Sequence, residues 1–372
     1  MRLRKTAYAT MTYVAFLSAY TGAHAQSSVT LQGMIDAGVT YVNNVSGKSV
    51  TRFDSGIFAP NLFTIKGTED LGGGNKAIFD LTSQFDLGTG STIPGAGQLF
   101  NRSAFVGLSN DRFGTVTFGN QYDFMFDTLT LGLFDGAFIF GGLYDFRQGP
   151  FSALGVPNNP TGAFDFDRLA GATRVPNSVK YQSPQFAGFS VGAMYSFGGV
   201  PGSLSADSAT SFGLSYQNGP LGLGAAYVEQ KYAQLSNGHD GIRNYGFGAH
   251  YQFGSVLGML LYTNTENTAT GARINVYKGG ALWTITGAWS AGLDYSFMKG
   301  NATLQNNKAH QFAAALQYHF SKRTMVYAEA VYQRASGDSE TTGAWINGLL
   351  DPNAAASGRS QTVARLALQT RF

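Results

Sequence analysis

The chain has 372 residues and no cysteine, so disulfides and cysteine-based metal sites are excluded. Only 13% of its residues are charged, whereas 14% are aromatic and 49 are glycine. Basic residues outnumber acidic ones by 25 to 22, but Arg2, Arg4 and Lys5 account for that excess. The rest of the chain is balanced in charge, which gives no reason to expect a nucleic-acid partner.

The first 25 residues have the features of a secretory signal peptide. The three basic residues precede an apolar stretch over about residues 7–20, and residues 23–25 form a small-residue cleavage sequence. The apolar stretch is too short for a membrane-spanning helix, although retention as an anchor is the alternative. We expect residues 1–25 to be removed on export and residues 26–372 to form a single domain.

Beyond residue 26, apolar and polar residues alternate in segments that recur along the chain. In residues 76–87, Phe79 and Leu81 fall on one face of a strand, and Asp80 and Thr82 fall on the other. The same alternation occurs in residues 29–42, 188–197, 209–217, 244–253, 288–299, 308–320, 323–334 and 360–372. No segment after residue 26 is apolar for long enough to predict a spanning helix. The pattern predicts an all-β protein.

The connections between these segments alternate between short turns and long polar loops. We expect short turns near residues 71–74, 218–220, 254–255 and 321–322. We expect long loops near residues 43–60, 88–100, 198–208, 231–241, 300–307 and 336–359. Short turns at one end and long loops at the other are typical of a transmembrane antiparallel β-barrel, here of about sixteen strands.

A secreted, soluble β-sandwich is the alternative fold. A sandwich core favours mixed aliphatic residues, whereas aromatic residues stand near the ends of the predicted strands of this chain. These aromatic residues are Tyr41, Tyr181, Tyr227, Trp289 and Tyr332. Aromatic rings at strand ends are typical of the two membrane interfaces, so the barrel is favoured.

Residues 122–174 form a long stretch without clean alternation. A loop of that length in a compact fold is usually functional or disordered. Its aromatic residues, among them Phe124, Phe134, Phe138, Phe140 and Tyr144, argue against disorder and predict burial against the inner barrel wall.

Several motifs, in order along the chain, resemble those of the Gram-negative general porins of the β-proteobacterial type. They are SVTLQGMIDAG at 28–38, KGTEDLGGG at 66–74, LFNR at 99–102, FVGL at 105–108, FGTVTFG at 113–119, NSVKY at 177–181 and VYAEAVY at 326–332. The terminal strand closing on Phe372 also resembles the C-terminal signature of outer-membrane proteins.

This resemblance implies a sixteen-stranded barrel in the bacterial outer membrane, with a third external loop folded inward to narrow a water-filled pore. It implies a homotrimer in contact with outer-membrane lipid and lipopolysaccharide. It also implies that small hydrophilic solutes and ions diffuse passively through the pore. The family needs no cofactor, and we expect no metal site and no catalytic activity.

The resemblance also implies where the pore is narrowest. In related porins, basic residues on the wall face acidic residues on the inward loop. Carried over by position, the wall candidates are Lys66, Arg102, Arg174 and Lys180, and the loop candidates are Asp123, Asp127 and Asp135. Alternation independently predicts that Lys66 and Lys180 point into the lumen.

One position departs from the family pattern. Relatives usually carry Ser-Arg where this chain has Asn61-Leu62, so one wall cation is missing. We expect a weaker preference for anions than in relatives that keep the arginine, or even a weak preference for cations.

Two other functions are compatible with a barrel. One is a substrate-specific channel for sugars or organic acids, and the other is a barrel enzyme. The histidines after residue 25, His239, His250, His310 and His319, are dispersed and belong to no catalytic motif, which disfavours the enzyme. Aromatic residues of the long loop suit either a specific or a general channel.

Overall fold

The computed structural model describes residues 27–93, 97–132, 142–146, 148–340, 342–346 and 354–372. The predicted signal peptide lies outside these ranges. The strands are β1 (Ser28–Val45), β2 (Lys48–Ser55), β3 (Leu62–Gly72), β4 (Asn75–Gln84), β5 (Ser103–Asn110), β6 (Gly114–Gln121), β7 (Val175–Gln182), β8 (Phe189–Ser196), β9 (Ala209–Asn218), β10 (Leu221–Lys231), β11 (Gly241–Phe253), β12 (Val256–Asn267), β13 (Arg273–Thr284), β14 (Trp289–Gly300), β15 (Lys308–His319), β16 (Thr324–Ser336) and β17 (Ser360–Arg371).

Helical segments occur only between the strands in the part of the chain that the structure describes. They are α1 (Phe124–Phe126), a π-helical turn (Asp127–Gly132), α2 (Gly142–Asp145), and 3-10 turns at Ser152–Leu154, Ser236–Gly238 and Ala302–Leu304. No helix among the described residues is long and apolar enough to cross a membrane.

The strands form one closed antiparallel ring. Each strand from β3 to β17 pairs with the next, and β17 pairs with β1 from Met34↔Arg371 to Val42↔Val363. β1 also pairs with both β2 and β3, which lie end to end along it. β2 and β3 are therefore two parts of one interrupted wall strand, and the barrel has the predicted sixteen strands.

Alternation decides which face of each strand meets the lipid. On β15, Phe312 and Leu316 are exposed on the outside, whereas Gln311 and Gln317 are buried inside. On β11, Phe247 is exposed and Asn244 is buried. The apolar outer face and polar inner face are what a barrel in a membrane requires.

The connections follow the prediction at most positions. A tight turn joins β3 and β4, where Gly72, Gly73 and Gly74 have φ values of 80°, 62° and 80°. Long connections lie at the other end of the strands, between β4 and β5, β6 and β7, and β16 and β17. Only glycine adopts three successive positive φ angles without strain, which accounts for the sharpness of the turn.

The predicted loop over residues 43–60 is wrong. β1 continues to Val45, and Ser46 and Gly47 (φ 51° and 92°) form a two-residue turn into β2. Two successive positive φ angles give the turn that best matches the twist of a hairpin. Only residues 56–61 leave the wall in this part of the chain.

Buried polar contacts join the strands where the ring closes. The guanidinium of Arg365 on β17 donates to Asp36 Oδ1 on β1 at 3.0 Å and to Tyr327 Oη on β16 at 3.0 Å. Tyr327 in turn donates to Asp36 Oδ2 at 2.7 Å. Arg365 and Asp36 have no exposed side-chain surface, so neither charge is solvated if its partner is lost.

Arg365→Met should lower the stability of the barrel strongly, because it leaves the Asp36 carboxylate buried without a cation. Removing one partner of a buried pair costs about 3–5 kcal/mol. For a chain of this size the cost corresponds to a fall of roughly 10 °C in the midpoint of thermal unfolding, followed by circular dichroism in detergent. Arg334→Met, an exposed arginine on the neighbouring β16, is the control and should change the midpoint little. Equal midpoints for the two variants would contradict the assignment.

Candidate functional site

The described parts of residues 122–174 lie against the inner face of the barrel. The backbone N–H of Phe124 donates to Ser211 Oγ on β9 at 3.0 Å, and Thr263 Oγ1 on β12 donates to Asp167 Oδ2 at 2.9 Å. Gln311 Nε2 on β15 donates to the Asp145 carbonyl at 3.0 Å. The segment thus contacts strands on widely separated parts of the wall.

Aromatic residues of this segment are buried, as the sequence predicts. Phe124, Tyr144 and Phe146 are each about 1% exposed. The ring of Phe124 fills the space beside Gly192 and Gly213, where an added Cβ would lie only 2.1 Å and 2.6 Å from ring atoms. Glycine on the inner wall thereby makes room for the loop. Phe134, Phe138 and Phe140 lie outside the described residues.

A buried ion cluster fixes α2 to the wall. The Nζ of Lys278 on β13 contacts Asp145 of α2 and lies 3.2 Å from Asp294 Oδ2 on β14. All three side chains are fully buried. Tyr144 donates a hydrogen bond to Asp54 on β2. Two neighbouring residues of α2 are therefore bonded to wall strands β13 and β2, which β14–β17 and β1 separate in the ring.

A second inward element comes from the wall strand itself. At residues 56–61 the chain leaves the sheet, and Ile57 accepts a hydrogen bond from the N–H of Leu143 in α2 at 2.6 Å. Asp36 Oδ1 accepts the N–H of Ile57 at 3.0 Å, and Asn61 Oδ1 accepts the N–H of Asp36 at 2.7 Å. The break and the long loop therefore meet inside the barrel.

Sequence reasoning merged most of this break into the predicted loop over residues 43–60 and did not separate it from β2. Gly56 has a φ of 68°, and Pro60 has no N–H for a ladder hydrogen bond. A glycine and a proline four residues apart were the available signal that a strand ends there.

A cavity of about 1220 Å³ remains beside these inward elements. It is lined by the inner faces of β1 and β3–β7, by α1 and the π-helical turn, and by residues near the turns of β13–β17. Its cationic lining residues are Lys66, Arg102, Lys180, Lys322, Arg323 and Arg371. Its anionic lining residues are Asp80 and Asp127. Cations therefore outnumber anions on this surface by six to two.

Lys66 and Lys180 both reach the cavity, and each is paired with an acid. Lys66 Nζ lies 3.2 Å from Asp80 Oδ2 on the adjacent β4. Lys180 Nζ contacts Asp127 of the π-helical turn and donates to the Tyr122 carbonyl at 2.9 Å. The second pair joins a wall cation to a loop acid.

Burial raises the pKa of Asp127 above its ordinary value of 3.8, although Lys180 lowers it in part. Protonation of this acid as the pH falls would leave the Lys180 charge without its partner. The charge of the cavity is thus sensitive to acid.

Arg102 lies beside the same cavity without an acid partner. Its Nη1 donates to the Gly171 carbonyl at 2.8 Å, and its guanidinium lies 5.4 Å from the centroid of the Tyr122 ring. Among the described residues, no carboxylate lies within ion-pair distance of it. Arg102 is only 5% exposed, but it lines the cavity, so its unpaired charge adds to the positive potential there.

Two other candidates, Asp123 and Arg174, are placed differently. Asp123 is fully buried, where Arg168 Nε donates to its Oδ2 at 2.7 Å and the Met125 N–H donates to its Oδ1 at 2.9 Å. It caps α1, and its side chain is not part of the cavity lining. Arg174 donates to the carbonyls of Asn101 and Ala172, at 2.9 Å and 2.6 Å.

Arg174 is half-buried, and burial together with nearby Arg102 lowers its pKa to about 10. Because Arg174 donates to carbonyls of both Asn101 and Ala172, it fixes the loop to the wall beside Arg102. Asp135 lies outside the described residues, and its place in the pore stays a prediction. Within the described ranges, no three histidine, aspartate or glutamate side chains are grouped closely enough to hold a metal ion.

The family description "Gram-negative porin" matches residues 12–338 of this chain. The chain belongs to the Gram-negative porin family. Outer membrane porin protein 32 of Delftia acidovorans is 31% identical, over 96% of this porin and 98% of the relative. An outer membrane porin protein of Bordetella pertussis is 29% identical, over 87% and 94%.

Solved structures agree. The anion-selective porin from Comamonas acidovorans superposes with a TM-score of 0.74 at 26% identity, over 93% of this porin and 100% of that chain. OmpT of Vibrio cholerae, at 13% identity and a TM-score of 0.63, shares the fold. This porin is thus a multi-pass β-barrel of the bacterial outer membrane that forms a channel.

Acidification should shift the ion preference of this porin toward anions. Because the pKa of Asp127 is raised, this acid is neutralised at a higher pH than an ordinary aspartate, and Lys180 then adds a positive charge to the cavity. The zero-current potential under a KCl gradient should move toward anions as the pH is lowered from 7, and it should do so at a higher pH than an ordinary aspartate would require.

Asp127→Asn should already show that shift at pH 7 and should lose this part of the pH response. Asp111→Asn, at an exposed turn, is the control. A pH response of the same size in Asp127→Asn and in the unmodified porin would contradict the role of Asp127.

Proposed function

We propose that this porin is a general diffusion channel for small hydrophilic solutes and ions, with a weak preference for anions. The preference for anions over cations is supported by the charges on the cavity lining, where six cationic residues stand against two anionic ones. Lys66 and Lys180 are neutralised in part by Asp80 and Asp127, which leaves Arg102 as the unpaired charge near the loop. This charge balance favours a weak preference for anions over a weak preference for cations.

Leu62 supports a preference that is weak rather than strong. Its side chain lines the cavity on β3, on the same face as Thr64 and Lys66. An arginine at this position, as in the family pattern, would add a cation beside Lys66. The structural relative from Comamonas acidovorans is named as anion-selective, and we propose the same sign with a smaller magnitude here.

Leu62→Arg should therefore increase the anion preference. In a planar bilayer under a tenfold KCl gradient, ideal selectivity corresponds to about 59 mV, and we expect the variant to shift the zero-current potential by roughly 10 mV toward the anion limit. Leu62→Met keeps an apolar side chain of similar volume and should leave the potential unchanged. A cation-selective unmodified channel, or no shift in Leu62→Arg, would overturn the proposal.

We also propose that three copies assemble through the outer face around β15–β17 and β1. The exposed residues Ala314, Ala330 and Ala364 stand in register across three neighbouring strands, and Ala328 lies next to them. A row of small side chains allows another barrel to approach closely. A related fold, OmpT of Vibrio cholerae, has been solved in a trimer form.

Ala330→Trp should disrupt this assembly, because the indole would stand out of an otherwise flat surface. Unboiled porin should migrate as a trimer on a denaturing gel, whereas the variant should migrate as a monomer. Ala249→Trp places the same side chain on the outer face of β11 and should leave the trimer intact. Trimers of equal heat stability for both variants would place the interface elsewhere.

The remaining features concern export and surroundings. We propose that residues 1–25 direct the chain across the inner membrane and are cleaved. We propose that lipopolysaccharide surrounds the outer face at the end of the barrel that carries the long loops.

A further inference from the structure

Apolar side chains share the cavity lining with the cations. Leu131 of the π-helical turn is 53% exposed although it does not face the lipid. Leu62 and Met34, which are cross-strand partners on β3 and β1, line the same cavity. Removing the surface of an exposed leucine from water is favourable, so this part of the lining suits contact with an apolar group of a solute.

Aromatic rings extend this apolar surface to the unpaired cation. The rings of Tyr122 and Phe126 lie 4.2 Å apart, and both residues line the cavity. The Arg102 guanidinium lies 5.4 Å from the Tyr122 centroid. Leu131 follows Phe126 by five residues, about one turn of a π-helix, and so lies on the same side of the segment. An apolar surface therefore begins directly beside a positive charge.

The strand register gives the scale of this arrangement. Leu62 is opposite Gln84 on β4, and the N–H of Arg102 donates to the carbonyl of Thr82 on the same strand at 3.0 Å. Leu62 and Arg102 are therefore separated by two strand spacings, or roughly 10 Å between backbones. This separation suits a six-carbon carboxylate with its charged end at Arg102.

We propose that this part of the cavity, formed by Arg102, Tyr122, Phe126, Leu131, Leu62 and Met34, is a weak binding site for amphipathic organic monoanions. Such a solute has one carboxylate and a compact apolar body. The inference rests on the proposed diffusion function and adds a substrate class to it. Arg102 attracts the carboxylate, since it lies against the Tyr122 ring and, unlike Lys66 and Lys180, has no acid partner among the described residues. Leu62, Leu131 and the partly exposed ring of Tyr122, which packs against the buried Phe126, contact the hydrocarbon and slow its passage relative to a hydroxylated anion.

The test uses reconstituted full-length porin and two six-carbon monocarboxylates, sodium hexanoate and sodium gluconate. Each is added to KCl at constant ionic strength, and the single-channel conductance is recorded. Hexanoate should lower the conductance in a saturable way, at a half-effective concentration about fivefold below that of gluconate.

Leu62→Ser and Leu131→Ser should each raise the half-effective concentration of hexanoate by about threefold and leave that of gluconate unchanged. Leu131 belongs to the π-helical turn inside the barrel and not to a wall strand. Its variant therefore tests the site even if Leu62→Ser does not fold. Leu204→Ser, an exposed loop leucine outside the cavity lining, is the matched control and should change neither value.

Equal effects of hexanoate and gluconate in a channel that conducts KCl would overturn this inference and leave the diffusion function intact. A hexanoate preference that survives both serine variants would overturn the assigned site. Folded porin that conducts no ions would instead overturn the proposed function itself.

Discussion

The hydrocarbon core of a membrane offers no hydrogen-bond partner, so every strand that crosses it needs a neighbour on both sides. This porin meets the requirement by pairing β17 with β1, the strands farthest apart in the chain. Arg365, Asp36 and Tyr327 stand behind that pairing as a buried network on the inner side. Because the ring satisfies the backbone of the wall, the chain inside it is free to leave regular structure and to shape the channel.

The interior is consequently organised by side chains from the wall. Lys278 fixes α2, and Ser211 fixes the start of α1. The break at residues 56–61 meets α2 from the other side. Charges that anchor these elements are buried and paired, whereas Arg102 keeps an unpaired charge at the cavity. Arg102 also holds the loop, because its Nη1 donates to the Gly171 carbonyl, so a single residue both anchors the loop and lines the cavity.

Much of the barrel could be predicted from the sequence because a period of two is a local signal. Phe312 and Gln311 point to opposite faces whatever their neighbours are, and the same reasoning placed Lys66 and Lys180 on the inside. The break at residues 56–61 is harder to predict. Strand residues stand on both sides of the break, in β2 and β3, and only Gly56 and Pro60 indicate that the strand is interrupted between them.

The loop residues could be predicted less well, because their surroundings depend on contacts between distant parts of the chain. Asp123 and Asp127 look alike in the sequence. Asp123 caps α1 and is paired with Arg168, 45 residues away, whereas Asp127 is paired with Lys180, 53 residues away. No local pattern distinguishes these two outcomes. The cations near the turns, such as Arg371, escaped notice because they lie outside the family's constriction motifs.

The pairing of β1 with β17 also has a consequence for biogenesis. A strand near the start of the chain cannot acquire its final neighbour until more than three hundred further residues have been synthesised. Contacts of such long sequence separation form slowly, because the intervening chain must first be ordered. Until the last strand has been made, the edges of the earlier strands stay unpaired, and unpaired strand edges are prone to aggregation.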